Sequence, residues 1–120
     1  MAAKKVRLLV EMTIHEGQFD AFDSIAREMV AGSQSEAGTL DYEWYLSADR
    51  KRCRLVETYT DSAALAKHVG GPVVKKLLPT LAEHCKIDGI EAYGDFDTDL
   101  AAALTHAGAI IFSAWQGLNR

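Results

Sequence analysis

The chain has 120 residues, of which 48% are apolar and 25% charged, and its formal net charge is −4. A chain of this length builds one domain around one core, and so mild a charge gives no reason to expect nucleic acid or an anionic membrane as a partner. No stretch is apolar over the roughly 20 residues of a membrane span and no cleavable leader pattern is visible, so we expect a cytoplasmic protein. Cys53 and Cys85 fit neither a disulfide framework nor a metal motif, so we expect both thiols to be reduced.

The first strand and the first helix are predicted by the spacing of apolar residues. Residues 6–14 alternate in polarity, which predicts a strand with one fully apolar face. From Phe19 to Ser33 apolar residues recur at helical spacing, which predicts an amphipathic helix of about five turns. We expect Gly38 to take the left-handed conformation that closes such a helix.

A hairpin follows this helix. Residues 39–47 and 52–60 are rich in β-branched and aromatic residues, and a short polar turn separates them. Alternation along the first of these strands places four large apolar side chains on one face: Leu40, Tyr42, Trp44 and Leu46. The basic turn, Arg50 to Arg52, is typical of a solvated hairpin tip and is also compatible with an anionic ligand.

Five further elements are predicted after the hairpin. Asp61 or Ser62 caps a short helix that runs to His68, and a Gly-Gly-Pro motif ends it. A second helical piece with Pro79 inside it precedes a strand at 86–96. The tail predicts one more helix and then a β-like segment, "AIIFSAW", which adds a strand to the core or to a partner subunit.

The order strand, helix, strand, strand, helix, strand predicts an α+β fold of the ferredoxin-like βαββαβ type, an antiparallel sheet with helices on one face. We expect a single domain over residues 1–120, with a core at about 6–96 and a C-terminal helix-strand extension at about 97–120.

Apolar residues are also expected on the sheet face that the helices leave uncovered. Leu9, Leu55, Val56 and the aromatic residues of the second strand suggest such a face. An exposed apolar sheet face is usually an interaction site, so we expect a homodimer through the open sheet face.

Two segments carry a resemblance to a known family. "SEAGTLDYEWY" and "RLVETYTDSAALAKHVGGPVV", within a match over Val6 to Asp95, resemble the antibiotic biosynthesis monooxygenase family. This family contains dimeric α+β barrels and includes quinol monooxygenases, so the resemblance implies that fold and a dimer. Tyr59 stands where many members carry tryptophan, and the first strand lacks the asparagine of the haem-degrading members. These departures disfavour haem degradation.

His68 and Tyr59 are the candidate catalytic residues. Imidazole titrates near neutral pH, so His68 suits a general base or a donor to a phenolic oxygen. The alternative is structural, because a histidine at a helix C-terminus often satisfies free carbonyl groups. With the resemblance taken into account, the catalytic and the structural interpretations of His68 have equal support.

Glu57 presents a similar choice. As a base it needs a pocket that raises its pKa, whereas as an architectural residue it accepts donors such as Arg54, Arg52 or an arginine of a partner subunit. We favour the architectural interpretation. A pocket for a planar aromatic molecule is predicted from one cluster of side chains: Phe22, Tyr42, Trp44, Glu57 and Tyr93. The other histidines lie far apart in the sequence without metal-ligand spacing: His15, His84 and His106.

The resemblance and these residues together predict a cofactor-independent monooxygenase that oxidises a hydroquinone or polycyclic phenol to a quinone with O2. The sequence contains no dinucleotide-binding fingerprint and no recognisable haem or metal ligand set, so the substrate itself must supply the electrons. One alternative is an isomerase that enolises a small carbonyl compound, with the basic hairpin tip attracting a phosphate. Another alternative is a dimeric barrel that binds a small aromatic molecule without chemistry.

Overall fold

A computed structural model describes residues 4–118 of the chain. Its five strands are β1 Val6–Ile14, β2 Thr39–Leu46, β3 Arg52–Tyr59, β4 Cys85–Tyr93 and β5 Ala109–Phe112. Its four helices are α1 Phe19–Ser33, α2 Ser62–Val69, α3 Pro72–Leu81 and α4 Thr98–His106. None of the helices in this described part is long and apolar enough to cross a membrane.

The strands form one sheet in the order β2-β3-β1-β4-β5. The first four strands pair antiparallel, with β1 at the centre between β3 and β4, and β5 joins β4 in parallel. This arrangement confirms the ferredoxin-like α+β fold. Two helices, α2 and α3, follow the hairpin as predicted, because Gly71 and Pro72 interrupt the helical stretch and Pro72 begins α3 at its first position.

All four helices lie on the same face of the sheet. The core has two parts. In one, α1 and α3 pack against the end of the sheet that holds Met12. In the other, α2 and α4 pack against the end of the sheet that holds Val6. Pro79 is accommodated within α3 near its C-terminal end. The predicted extension is present as α4 and β5, although β5 ends at Phe112, before Trp115.

The helix-covered face holds the residues that the site uses. On β3 the side chains of Leu55, Glu57 and Tyr59 are all buried on this face. Tyr42 and Trp44 lie opposite Glu57 and Leu55 on β2, on the same face. Two of the four apolar residues predicted to share that face are exposed instead. Leu40 lies at an irregularity of the ladder and Leu46 at the end of the edge strand.

The open face is less apolar than the sequence suggested. Leu55 was wrongly assigned to it, because side chains alternate along β3 and Leu55 points to the helices. At the centre of the open face, Leu9 and Val56 are cross-strand neighbours. An ion pair between Arg54 and Glu11, 3.3 Å apart, lies beside them.

Candidate functional site

A buried polar cluster lies between the sheet and α2. Glu57 and Tyr59 project from β3, and His68 projects from the last turn of α2 towards them. The Asp61 side chain caps α2 by accepting a hydrogen bond from the Ala64 N–H at 2.9 Å. This cap fixes where α2 begins, so it also fixes the turn of the helix on which His68 faces the sheet.

His68 has a carboxyl group on each side of its ring. Its Nδ1 lies 2.6 Å from Glu36 Oε1, and its Nε2 lies 3.9 Å from Glu57 Oε1. The ring also packs edge-on against Tyr42, with centroids 5.2 Å apart, and at a tilt against Tyr59, with centroids 5.5 Å apart. Only 3% of the side chain is exposed. The geometry is that of a histidine held for proton transfer or for hydrogen bonding to a bound molecule.

The structural alternative for His68 does not describe this geometry. The last carbonyl groups of α2 accept from backbone N–H groups, Gly70 to Ala66 and Gly71 to His68. The imidazole is therefore not needed to satisfy the C-terminus of α2. It instead points away from the helix end into the cluster.

Glu57 is buried without an arginine. Its carboxylate accepts a hydrogen bond from the Tyr59 hydroxyl, and burial raises the pKa of Glu57 to about 7, with Glu36 adding to the rise. Arg52 and Arg54, the two arginines of β3 considered from the sequence, are not its partners. Arg54 lies on the opposite face of β3 with Glu11, because neighbouring residues of a strand point to opposite faces. Glu57 therefore meets the condition set for a base, a pocket in which its pKa is raised.

The two tyrosines of the cluster stay protonated. Burial together with the nearby Glu57 carboxylate raises the pKa of Tyr59 and of Tyr42 far above the usual value of a phenol. A phenol that cannot ionise is a hydrogen-bond donor, so Tyr59 orients the Glu57 carboxylate.

Glu36 is a member of the cluster that sequence reasoning did not single out. It lies in the turn after α1, and Thr39 Oγ1 donates to its Oε1 at 2.8 Å. Gly38 brings this turn against α2, since a Cβ at this position would lie 2.5 Å from the Ala64 Cβ. The expected left-handed Gly38 is wrong: its φ is not positive, and glycine is needed for close approach. The Glu36-x-Gly38 spacing was the available signal.

A cavity of about 160 Å³ opens beside the cluster. Tyr42, Trp44, Glu57 and His68 line one side of it, and aliphatic residues of the sheet and α3 line most of the rest. The buried indole N–H of Trp44 has no hydrogen-bond partner among residues 4–118. The cavity is thus an apolar space with a carboxyl group, an imidazole and a free donor side chain in its wall.

Two of the predicted pocket residues do not line this cavity. Phe22 is buried in the core behind Trp44, with ring centroids 6.0 Å apart. Tyr93 is wrong as a pocket residue, because it pairs with Arg7 on the open face and contacts Phe112 there. The pairing of β1 with β4 shifts register near Glu11, so simple alternation does not give the sheet face on which each β4 side chain lies.

The C-terminal extension closes part of the cavity. Leu104 and Ala107 from the end of α4, and Ala109 from β5, belong to its lining. The extension therefore supplies part of the cavity wall.

Other reactive side chains lie outside the cluster. Cys53 and Cys85 are free and buried, and burial raises the pKa of each thiol to about 11. Both stay as thiols at neutral pH and are poor nucleophiles. Across the described range 4–118, no group of three or more histidine, cysteine, aspartate or glutamate side chains is arranged to hold a metal ion.

Solved structures with the same fold include proteins of several sources. MupZ from Pseudomonas fluorescens superposes with a TM-score of 0.86 at 18% identity, covering 98% of this chain and 95% of that one. A conserved protein of unknown function from Bacteroides thetaiotaomicron, described as a possible oxidoreductase, has a TM-score of 0.69 at 23% identity, covering 76% and 97%. An antibiotic biosynthesis monooxygenase has a TM-score of 0.68 at 19% identity, covering 77% and 99%. Only the first of these three covers nearly the whole of this chain.

The sequence itself carries the family assignment. No curated protein matches it significantly. The family model for antibiotic biosynthesis monooxygenases matches residues 5–79, which include every member of the buried cluster. The chain is therefore a member of the antibiotic biosynthesis monooxygenase family.

Proposed function

We propose that the chain is a cofactor-independent monooxygenase that oxidises a single-ring hydroquinone or phenol to a quinone with O2. The observation that carries this proposal is the imidazole of His68 and the carboxyl group of Glu57 side by side in the wall of an apolar cavity. Family membership supports the use of O2.

The size of the cavity favours one ring over several. Its volume of about 160 Å³ is close to that of cavities of about 150 Å³ that bind benzene. A polycyclic phenol needs the walls formed by α3 and α4 to move apart. We therefore place single-ring substrates ahead of the polycyclic phenols that the sequence also suggested.

The chemistry begins with the removal of a proton from a phenolic hydroxyl. His68 Nε2 or the Glu57 carboxylate accepts this proton, and the phenolate passes one electron to O2. The phenoxyl radical and superoxide then combine at a ring carbon to form a C–O bond and, after protonation, a hydroperoxide. Loss of the ring proton and cleavage of the O–O bond release water and leave the new carbonyl group. One atom of O2 enters the product and the other enters water, so a phenol gives a quinone, a hydroquinone gives a hydroxyquinone, and no other reductant is required.

The protein contributes a base, a donor and a dry site. Tyr59 holds Glu57 in place, and the Trp44 N–H is available to a substrate oxygen. The aliphatic walls exclude water, which strengthens these interactions and protects the radical pair.

Oxygen uptake tests the proposal. Protein freed of metals by chelation is mixed with a panel of hydroquinones and phenols of one to three rings in an oxygen electrode. We expect uptake with single-ring substrates, one O2 for each quinone formed, and a loss of about 100-fold or more in kcat for His68→Gln. A protein that consumes no O2 with any member of the panel contradicts the proposal.

A proton-shuttling isomerase is the second candidate. It is favoured by the raised pKa of Glu57, about 7, because a carboxylate of that basicity suits enolisation of a carbonyl compound. The phosphate attraction considered for it loses support, since Lys51 lies about 20 Å along β3 from Glu57. Turnover that is unchanged without O2 identifies this candidate.

Binding without chemistry is the third candidate. Tight binding of a phenol that is unaltered by His68→Gln and Tyr59→Phe, with no product formed, identifies it.

A homodimer through the open sheet face and a cytoplasmic location stay predictions. Sedimentation of the purified protein tests the first, and fractionation of cells that produce it tests the second.

A further inference from the structure

We propose that Glu36 is the exit of a proton relay: a proton accepted at His68 Nε2 in the cavity leaves from Nδ1, through the Glu36 carboxylate, to water in an outer cleft. This inference rests on the proposed function, because it takes proton abstraction in the cavity as its first step. It assigns a role to Glu36 and a direction to proton movement through His68.

His68 separates two spaces. On the inner side is the cavity of about 160 Å³ that Glu57 and Trp44 line. On the outer side is an open cleft of about 850 Å³ between the turn after α1 and helix α2, lined by Glu36, Lys67 and others. His68 belongs to the lining of both. Its Nε2 is the nitrogen near Glu57, and its Nδ1 is the nitrogen near Glu36.

Burial makes such an exit necessary. Glu57 and His68 are 4% and 3% exposed, and Tyr59 is fully buried. Within residues 4–118, the polar partners of the His68 and Glu57 side chains are Glu36, Tyr59 and each other. Tyr59 cannot pass a proton outward because its hydroxyl donates back to Glu57. Glu36, with 23% of its side chain exposed, is the carboxyl group of the cluster that also reaches solvent.

The contact of Glu36 with His68 sets the tautomer that a relay needs. A carboxylate 2.6 Å from Nδ1 places the proton on Nδ1 and leaves the lone pair of Nε2 directed towards the cavity. Nε2 can then accept a proton while Nδ1 releases one. The Thr39 hydroxyl, which donates to the same oxygen of Glu36, holds the carboxylate in this position.

This arrangement differs from the buried carboxylate of a serine protease triad, which orients its histidine without taking the proton. There the carboxylate is enclosed, so a proton on it has nowhere to go. Glu36 borders an open cleft, so a proton that reaches it exchanges with water.

The test uses para-nitrophenol, a single-ring phenol whose anion is coloured. Stopped-flow mixing with the intact protein follows phenolate formation by absorbance and proton release to solvent by a pH indicator. The variants are Glu36→Ala and Glu36→Gln, and the matched control is Glu28→Ala, an exposed glutamate of α1 outside the cluster. Formate is then added, because the open cleft can admit a small carboxylate to the space left by Glu36→Ala. Circular dichroism checks that each variant is folded.

We expect Glu28→Ala to match the unaltered protein, and both Glu36 variants to slow proton release about 100-fold. Formate should accelerate Glu36→Ala in proportion to its concentration and leave Glu36→Gln slow, since the amide still fills the site. The relay is overturned if Glu36→Gln releases protons at full rate, because Glu36 then only anchors the ring. It is also overturned if formate rescues neither variant or if the unaltered protein does not ionise the probe. A protein that ionises the probe but takes up no O2 with hydroquinones supports the relay and contradicts the oxidation.

Discussion

His68 Nδ1 lies 2.6 Å from Glu36 Oε1, although the two residues are 32 positions apart in the chain. One is on the last turn of α2 and the other in the turn after α1, so their contact depends on how closely that turn packs against α2. Gly38 permits this packing. The contact joins the inner cavity to the outer cleft, and the proposed proton relay depends on it.

Gly38→Ala should break this contact. The new Cβ would lie 2.5 Å from the Ala64 Cβ and 3.2 Å from Thr60 Oγ1, so the turn that carries Glu36 has to move. We expect a loss of about 1–3 kcal/mol in the free energy of unfolding, measured by urea denaturation, and slower proton release. The control is the double variant Gly38→Ala with Ala64→Gly, which removes the methyl group that clashes. If the double variant is no more stable than Gly38→Ala alone, close packing is not the role of Gly38.

Glu57→Gln should change the pH dependence of stability. The pKa of Glu57 is raised from 4.5 to about 7 on folding, so the folded protein binds the extra proton between these values. The free energy of unfolding therefore falls as pH rises from about 4.5 through about 7, by on the order of 3 kcal/mol for such a shift. A neutral amide removes this fall.

Denaturation at pH 5 and at pH 8 measures the effect. We expect Glu57→Gln to gain stability over the unaltered protein at pH 8 and to show little difference at pH 5. The control is Glu43→Gln, at an exposed glutamate on β2, and it should leave the free energy of unfolding unchanged at both pH values. Equal changes at the two pH values would show that the pKa of Glu57 is not raised by folding.

Trp44→Phe tests the free donor in the cavity wall. The indole N–H is buried without a partner in the described chain, so removing it should leave the free energy of unfolding nearly unchanged or raise it slightly. If a substrate oxygen accepts from this N–H, KM should rise up to about tenfold while kcat changes less. Steady-state oxygen uptake gives both constants. An unchanged KM would mean that the substrate does not contact the indole nitrogen.

Leu104→Ala tests whether the C-terminal extension limits substrate size. Leu104 is buried and lines the cavity, so its truncation should lower the free energy of unfolding by about 2–5 kcal/mol and widen the site. We expect two-ring phenols to become substrates. Ile110→Ala, on the open face and 60% exposed, is the control. If Leu104→Ala accepts the same substrates as the unaltered protein, this wall of the cavity does not select the substrate.

The fold was accessible from the sequence because its signals are local. Apolar spacing predicted the first helix and the hairpin, and the Asp61 cap and the Gly-Gly-Pro motif predicted where α2 begins and ends. Each of these depends on residues a few positions apart, where backbone geometry decides the outcome. The order of the elements then predicted the ferredoxin-like fold, which the family resemblance also implies.

The site was only partly accessible. Glu57 and Tyr59 are two positions apart on β3 and therefore share a face, and the turn at Asp61 brings His68 over them. The contact with Glu36 could not be predicted, since it depends on how two distant segments pack. Tyr93 was misplaced because an irregular ladder between β1 and β4 breaks simple alternation.

Isotopically labelled dioxygen tests the central claim most directly. Metal-free protein is supplied with a single-ring phenol under labelled O2 in unlabelled water, and the quinone is analysed by mass spectrometry before its oxygens exchange. We expect one labelled oxygen atom in each quinone and the other in water, with the label lost together with activity in His68→Gln. Quinone that carries no label, or that forms equally well without O2, would contradict it.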